Sequence, residues 1–311
     1  MTDSTHLSRR CFLQNSAIAA SGVLSLPILS FSAEMASIPK RKLGRTDLAV
    51  SVIGLGGGSL HRCASQKETA DLIRYSLDEG VNFFDTAFNY GCGESEKRLG
   101  EALGKDHSRI VLSTKTRNRT LCGALRELEA SLRRLRTDCV DLWFLHGACR
   151  EDWDACFASN GVMEAMETAR RQGKCRYLGV AGHCDPASLQ AFLDAYPFDA
   201  VIMPLNAVDP HRLSFEKVLL PQIHREEIGV ISVKALLGGH LPNSIQKDAL
   251  RYALSLPVST TLIGCASRHE MQWTLKAART FTPLSPVERE LILAQTKSMS
   301  GRPLEWYKRI S

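Results

Sequence analysis

Eight short apolar runs recur along this chain with their centres about 30 residues apart, the length of one strand-plus-helix unit. They are SVIGLG, VNFFD, RIVLST, VDLWFLH, CRYLGVAG, DAVIMPL, GVISVKAL and STTLIG. Nearly continuous apolar character is what a strand covered on both faces requires. Between them lie segments such as ETADLIRYSLDEG, GALRELEASLRRLR, GVMEAMETARRQG and PASLQAFLDAY, whose apolar residues return at helical spacing and which often end in glycine. Eight such units predict an α/β protein built as a parallel (β/α)8 TIM barrel, with a doubly wound open sheet as the alternative. KRKLGRTDLAVSVIGLGGG reads as a short β-hairpin leading into the first strand. In SPVERELILAQTK, Ser285 is placed as an N-cap, Pro286 in the first turn and Glu288 to complete a capping box, so a helix follows the eighth strand. A tail, GRPLEWYKRIS, remains, and Trp306 and Tyr307 in it are expected either to cover part of the barrel mouth or to fray.

The first 36 residues are of another kind: a polar start, then SRRCFLQ, then the apolar AIAASGVLSLPILS, then small residues in FSAEMAS. This is the layout of a targeting signal, and the apolar stretch is short for a membrane span. Paired Arg9 and Arg10 with Phe12 and Leu13 behind them resemble the twin-arginine export signal of bacteria, whose machinery carries folded proteins. The expected organisation is a signal segment over 1–36 and a barrel domain over 37–311, with no membrane-spanning domain in the mature protein. The expected location is periplasmic or exported; the alternative is a cytoplasmic enzyme or one anchored by an uncleaved signal.

A net charge of +6 over 311 residues is modest, and the arginines of SLRRLR share a helix pattern with Leu128, Leu132 and Leu135, so a nucleic-acid partner is not expected. Ten cysteines lie scattered without a CxxC pair, which argues against a zinc or iron–sulfur site. Disulfides in an oxidising compartment remain open, as does service as small apolar residues.

Chemistry in such a barrel gathers where the strands end. Asp85 closes the second strand, Tyr90 lies in the loop behind it, Lys115 closes the third strand and His146 the fourth. Each has an ordinary structural reading when taken singly, but four ionisable residues from adjacent strands point to one site. Here the chain resembles the aldo-keto reductases, from about Arg41 to the C-terminal helix, through LGRTDLAVS, DTAFNYGCGESEKRLGEAL, the lysine of STK, LHG and GKCRYLGVAGH. The resemblance implies that Asp85, Tyr90, Lys115 and His146 form a catalytic tetrad and that NADPH, or NADH, gives hydride to the carbonyl carbon of a small aldehyde or ketone. Tyr90 would protonate the oxygen and His146 would orient it. A phenol titrates at about 10 in water. The Lys115 ammonium is expected to lower that value, with Asp85 holding Lys115 in place.

The cofactor positions match the family less well. Gly182 and His183, Ile202 and Val233 stand where the family holds and stacks the nicotinamide, and His183 and Asn206 remain able to bond its carboxamide. Lys234 in VKALLGG is placed to offset pyrophosphate charge. In IGCASRHEMQWT only Ser267 and Arg268 suit a 2′-phosphate, while Gly264, Glu270, Trp273 and Thr274 depart from the pattern. These departures leave an alternative, a barrel that keeps the tetrad but acts as a redox-neutral enzyme or a binding protein. No metal site is expected, although His61, His146 and His183 are placed at one mouth.

Overall fold

The computed structural model describes residues 37–309. The expected signal segment lies outside the described residues. Strands β1 (Lys40–Lys42) and β2 (Ala49–Ser51) form an antiparallel hairpin in which Arg41 faces Val50. Eight parallel strands then close a barrel: β3 (Ile53–Gly56), β4 (Phe83–Asp85), β5 (Val111–Thr116), β6 (Val140–His146), β7 (Cys175–Ala181), β8 (Ala200–Pro204), β9 (Gly229–Val233) and β10 (Thr260–Ile263), with β10 pairing back onto β3. Each falls on one of the eight apolar runs, and closure rules out the open sheet. Barrel and hairpin are both as expected from the sequence.

Among the described residues ten α-helices surround the strands: α1 (Gln66–Asp78), α2 (Glu94–Leu103), α3 (Leu121–Leu135), α4 (Trp153–Phe157), α5 (Val162–Arg171), α6 (Pro186–Ala195), α7 (Phe215–Arg225), α8 (Asn243–Ser255), α9 (Arg268–Arg279) and α10 (Pro286–Thr296). Caps start them where the sequence supplies a short polar side chain. The Thr120 hydroxyl accepts from Gly123 N–H, Asp185 from Ser188 N–H, and Ser285 forms a reciprocal capping box with Glu288.

Two apolar layers result. The outer one packs helix stripes, such as Leu128, Leu132 and Leu135 of α3, on the outward faces of the strands. The inner one fills the barrel with Phe83, Leu142, Phe144, Ile202, Ile231 and Leu262, and Leu43, Leu48 and Val50 of the hairpin join it. The hairpin therefore plugs the N-terminal end of the barrel. A Cβ at Gly44 would lie 2.3 Å from the Gly229 nitrogen, so only glycine lets the plug seat against the start of β9. With that end closed, the C-terminal ends of the strands form the open mouth.

Candidate active site

Parallel register sets Asp85 at the end of β4 opposite Ser113 of β5, with Lys115 one pleat further along. All three are buried. Lys115 Nζ donates to Asp85 Oδ1 at 2.6 Å and Oδ2 at 2.5 Å and to the Thr86 carbonyl at 2.7 Å, which uses its three protons. Ser113 Oγ donates to Asp85 Oδ1 at 2.6 Å, so the carboxylate is held from two sides. The ammonium stands 5.1 Å from the centre of the Tyr90 ring. His146, at the end of β6, meets that ring edge-on at 5.8 Å. The fold thus brings together Asp85, Tyr90, Lys115 and His146, the four residues expected from the sequence to share one site.

Tyr90 reaches this position through a tight turn in which Gly91, Cys92 and Gly93 all have positive φ, 57°, 55° and 89°. At Gly91 a Cβ would also lie 2.7 Å from the His61 Cβ, so glycine is required there both for conformation and for space. The segment behind the turn is tied down by buried polar contacts. Ser95 Oγ donates to the Gly57 carbonyl, Thr114 Oγ1 donates to Glu96 Oε1 at 2.7 Å, and Arg134 pairs with fully buried Glu96 at 3.1 Å while its guanidinium covers Phe88. Ser95 and Glu96 of the run DTAFNYGCGESE therefore brace the segment that follows the Tyr90 turn.

The electrostatics differ from the sequence expectation at Tyr90. Burial raises its phenol above the ordinary value of 10.0, and the Asp85 charge adds to the rise; Lys115 opposes it without prevailing. The group is therefore a protonated phenol at neutral pH. Burial also works against the Lys115 ammonium, but Asp85 and Tyr90 outweigh it and hold its pKa above the usual lysine value. Burial, then Lys115 and the neighbouring cations, lower His146 well below 6.5, so the imidazole is neutral. Its Nδ1 is buried and has no hydrogen-bond partner among the described residues.

A cleft of about 780 Å³ runs from Asp85 and Tyr90 past Val233–Gly239 to His269–Thr274, with Trp306 on its wall. Its glycines matter: a Cβ at Gly264 would stand 2.6 Å from Ser59 Oγ, and one at Gly58 would project to 3.7 Å from the Tyr90 ring. Lys234 lies on this lining, and His183 stands beside His146 with ring centres 6.2 Å apart. The other expected cofactor residues sit elsewhere. Asn206 is fully buried; its Oδ1 accepts from Val208 and Asp209 N–H, and its Nδ2 donates to Tyr307 Oη at 3.2 Å. Ser267 caps α9, and the Arg268 guanidinium lies 4.4 Å over the Tyr75 ring. Among the described residues no group of three or more His, Cys, Asp or Glu is arranged to hold a metal.

Two features at the mouth escape a reading of local sequence. Cys149 and Cys184 form a disulfide that joins the loop after β6 to the loop after β7, with Cα atoms 6.2 Å apart. It lies three residues beyond His146 and one beyond His183. The C-terminal tail, moreover, is docked and not frayed. Lys308 is fully buried between Asp209 and Glu305, 2.7 Å from each, and donates to the Arg212 carbonyl. Arg309 N–H then donates to the Cys184 carbonyl at 2.9 Å, so the tail at Arg309 is held against the disulfide. A fully buried lysine so near a chain terminus has one sequence signal, the alternation of charge with aromatics in LEWYKR.

Comparison with known proteins agrees with this fold. Residues 52–249, well over half the chain, match the model of the aldo/keto reductase family. The chain is 28% identical over 205 residues to the uncharacterised oxidoreductase YqkF of Bacillus subtilis, covering 62% of this chain and 63% of that protein, just under two thirds of the relative's length. It is 29% identical over 244 residues to the methylglyoxal reductase YeaE of Escherichia coli, covering 75% and 83%. Among solved structures, the holo form of an aldo-keto reductase from Bacillus halodurans superposes with a TM-score of 0.70 at 25% identity, covering 83% of this chain and 96% of that one. The chain belongs to the aldo/keto reductase family.

Proposed function

We propose that this protein reduces an aldehyde or ketone to an alcohol using NADPH, with NADH as the alternative donor, and that Tyr90 is its general acid. The observation that carries the reading is the Tyr90 phenol on the wall of a long cleft, set between a buried Lys115–Asp85 pair and neutral His146. Relatives and fold neighbours are named for NADP+ or were solved with NADP or NADPH. The cleft suits such a ligand, being long, glycine-floored and open from Tyr90 to α9. Backbone groups of Leu236–Gly239 and Gly264–Cys265, with the side chains of Asn243, Gln246 and His269, would hold it. Bound there, the reduced nicotinamide supplies hydride to the carbonyl carbon.

The chain's own residues do the rest. Tyr90 holds a proton that burial keeps on the phenol, and it passes that proton to the carbonyl oxygen as negative charge develops there. Lys115 stabilises the resulting phenolate at short range. Asp85 fixes the ammonium, and Ser113 and the Thr86 carbonyl fix that pair. His146, neutral and with Nδ1 buried, carries its proton on Nε2 and donates it as a hydrogen bond to the same oxygen, which sets the carbonyl's orientation. In the reverse direction the Tyr90 phenolate is the base. Replacement of Tyr90 by Phe should leave nucleotide affinity, read by fluorescence titration, nearly unchanged and lower turnover of a test aldehyde by two or more orders of magnitude, about the scale of general acid catalysis. Comparable turnover in the variant removes Tyr90 from the mechanism.

The same proposal places the enzyme outside the cytoplasm, delivered folded by the twin-arginine machinery. Arg9 and Arg10 ahead of an apolar segment support it, and so does a disulfide at the mouth, a bond that persists in oxidising compartments. Among the described residues no helix is long and apolar enough to cross a membrane. Fractionation of cells expressing the Arg9→Lys/Arg10→Lys form is the test, and export unaffected by the change overturns the reading.

A further inference from the structure

The mouth of the barrel carries cations that no carboxylate of the described chain neutralises. Lys234 follows β9 with φ of 61°, a left-handed conformation. Its Nζ lies 4.7 Å and 4.9 Å from the ring centres of Trp306 and Tyr307, so aromatic faces receive the charge in place of an acid. Arg117 leaves β5 two residues after Lys115 and is exposed. Its Nη2 passes 3.8 Å from where a Cβ on Gly147 would sit, next to His146, and among the described residues it has no acidic partner. His183 stands in the field of both cations and 6.2 Å from His146.

Nearby acids are already engaged. Asp85 is taken by Lys115, Asp152 by Arg119, and Asp209 and Glu305 by Lys308. Glu270 accepts from Ala266 N–H. An ammonium pressed against aromatic rings and partly removed from water is costly until an anion arrives. The nucleotide's phosphates are one candidate, since Lys234 and Trp306 line the same cleft; Lys234 Nζ is, however, turned onto the rings of Trp306 and Tyr307, on the tail side of that cleft, and Arg117 is not among the cleft's lining residues.

The geometry points to a carbonyl substrate that carries its own anionic group, a carboxylate or a phosphate, which Lys234 and Arg117 hold while its carbonyl meets Tyr90 and His146. This rests on the carbonyl-reductase reading and adds the substrate class to it. It gives Lys234 a substrate role in place of the pyrophosphate role expected from the sequence.

The test uses the mature protein, saturating NADPH and three matched aldehydes: 4-formylbenzoate, 4-formylphenyl phosphate and the uncharged methyl 4-formylbenzoate. At least one anionic aldehyde should exceed the ester in kcat/KM by about tenfold or more, mainly through KM, and the advantage should shrink as salt screens it. Lys234→Met and Arg117→Met should each reduce the advantage several-fold, with the Kd for NADPH held within about twofold. Which anion wins separates carboxylate from phosphate. No advantage in the wild type overturns the proposal, and so does a Lys234→Met protein that loses NADPH affinity tenfold but keeps the advantage. If no aldehyde consumes NADPH, the reductase reading fails by itself, and calorimetric titration of the nucleotide-free protein with 4-formylbenzoate and 4-formylphenyl phosphate then decides the anion site. Binding weakened about tenfold in the Lys234→Met/Arg117→Met double variant upholds the site; absence of binding in the wild type overturns it.

Discussion

Replacing Cys149 and Cys184 by serine opens the bond that joins the loop of His146 to the loop of His183. The two cysteines are 35 residues apart in sequence, and α4, α5 and β7 lie between them. On the chain-entropy account, a loop of that length contributes about 4 kcal/mol by restricting the unfolded chain, between the values of about 3 and 4.7 for loops of 15 and 100 residues. For a domain of this size each kcal/mol shifts the melting point by about 2–4 °C, so the double variant should melt on the order of 10 °C lower. The native structure should also loosen locally, because Arg309 N–H donates to the Cys184 carbonyl and its guanidinium reaches Cys149 Sγ at 3.7 Å, which ties the tail to the same point. The expected functional consequence is a higher KM for carbonyl substrates, since His146, His183 and Trp306 would lose a shared anchor. The assay is thermal unfolding of protein produced in an oxidising compartment, with and without a phosphine reductant, beside mass spectrometry of alkylated protein. The seven other described cysteines are free, four of them buried, and in denaturant should alkylate without reduction, whereas Cys149 and Cys184 should not. Identical melting points with and without reductant, or alkylation of Cys149 and Cys184 in unreduced protein, refutes the reasoning.

Lys115→Met strands the buried Asp85 carboxylate and should cost about 3–5 kcal/mol in chemical denaturation, with part recovered in the Asp85→Asn/Lys115→Met pair. It should also move the rising limb of alcohol oxidation to higher pH, because Lys115 is the group that opposes the upward shift at Tyr90; an unmoved profile would uncouple the two residues. Burial, then Lys234, holds His183 at about 3, below its unfolded value of about 6.5. The unfolded chain therefore takes up a proton that the folded one refuses, and stability should fall as pH drops below about 6.5. His183→Gln should flatten that loss between pH 7 and pH 4, as read from denaturation midpoints. Truncation after Gly301 removes Lys308 from Asp209 and should cost about 3–5 kcal/mol, while an unchanged melting point would show that the buried ion pair is not needed.

Strand positions, the helix caps and the convergence of Asp85, Tyr90, Lys115 and His146 were legible in the sequence because each rests on local order: nearly continuous apolar runs, a serine three residues ahead of a glutamate, ionisable residues at strand ends. A parallel barrel also converts strand number into position, so placing Asp85, Lys115 and His146 at neighbouring strand ends already placed them at one mouth. Other outcomes depended on partners remote along the chain. Asn206 is consumed by Tyr307, 101 residues away, and Lys308 by Asp209. Ten cysteines gave no pairing rule, and only the approach of two loops selected Cys149 and Cys184. The direction of the Tyr90 shift belongs to the same class. Positions at neighbouring strand ends imply that a lysine and an aspartate stand near a tyrosine, but how much water the barrel excludes from that ring decides whether the cation or the burial prevails. Desolvation is a sum over every atom packed around a group, and for this site those atoms come from strands, a braced turn and a tail that meet only in the folded chain.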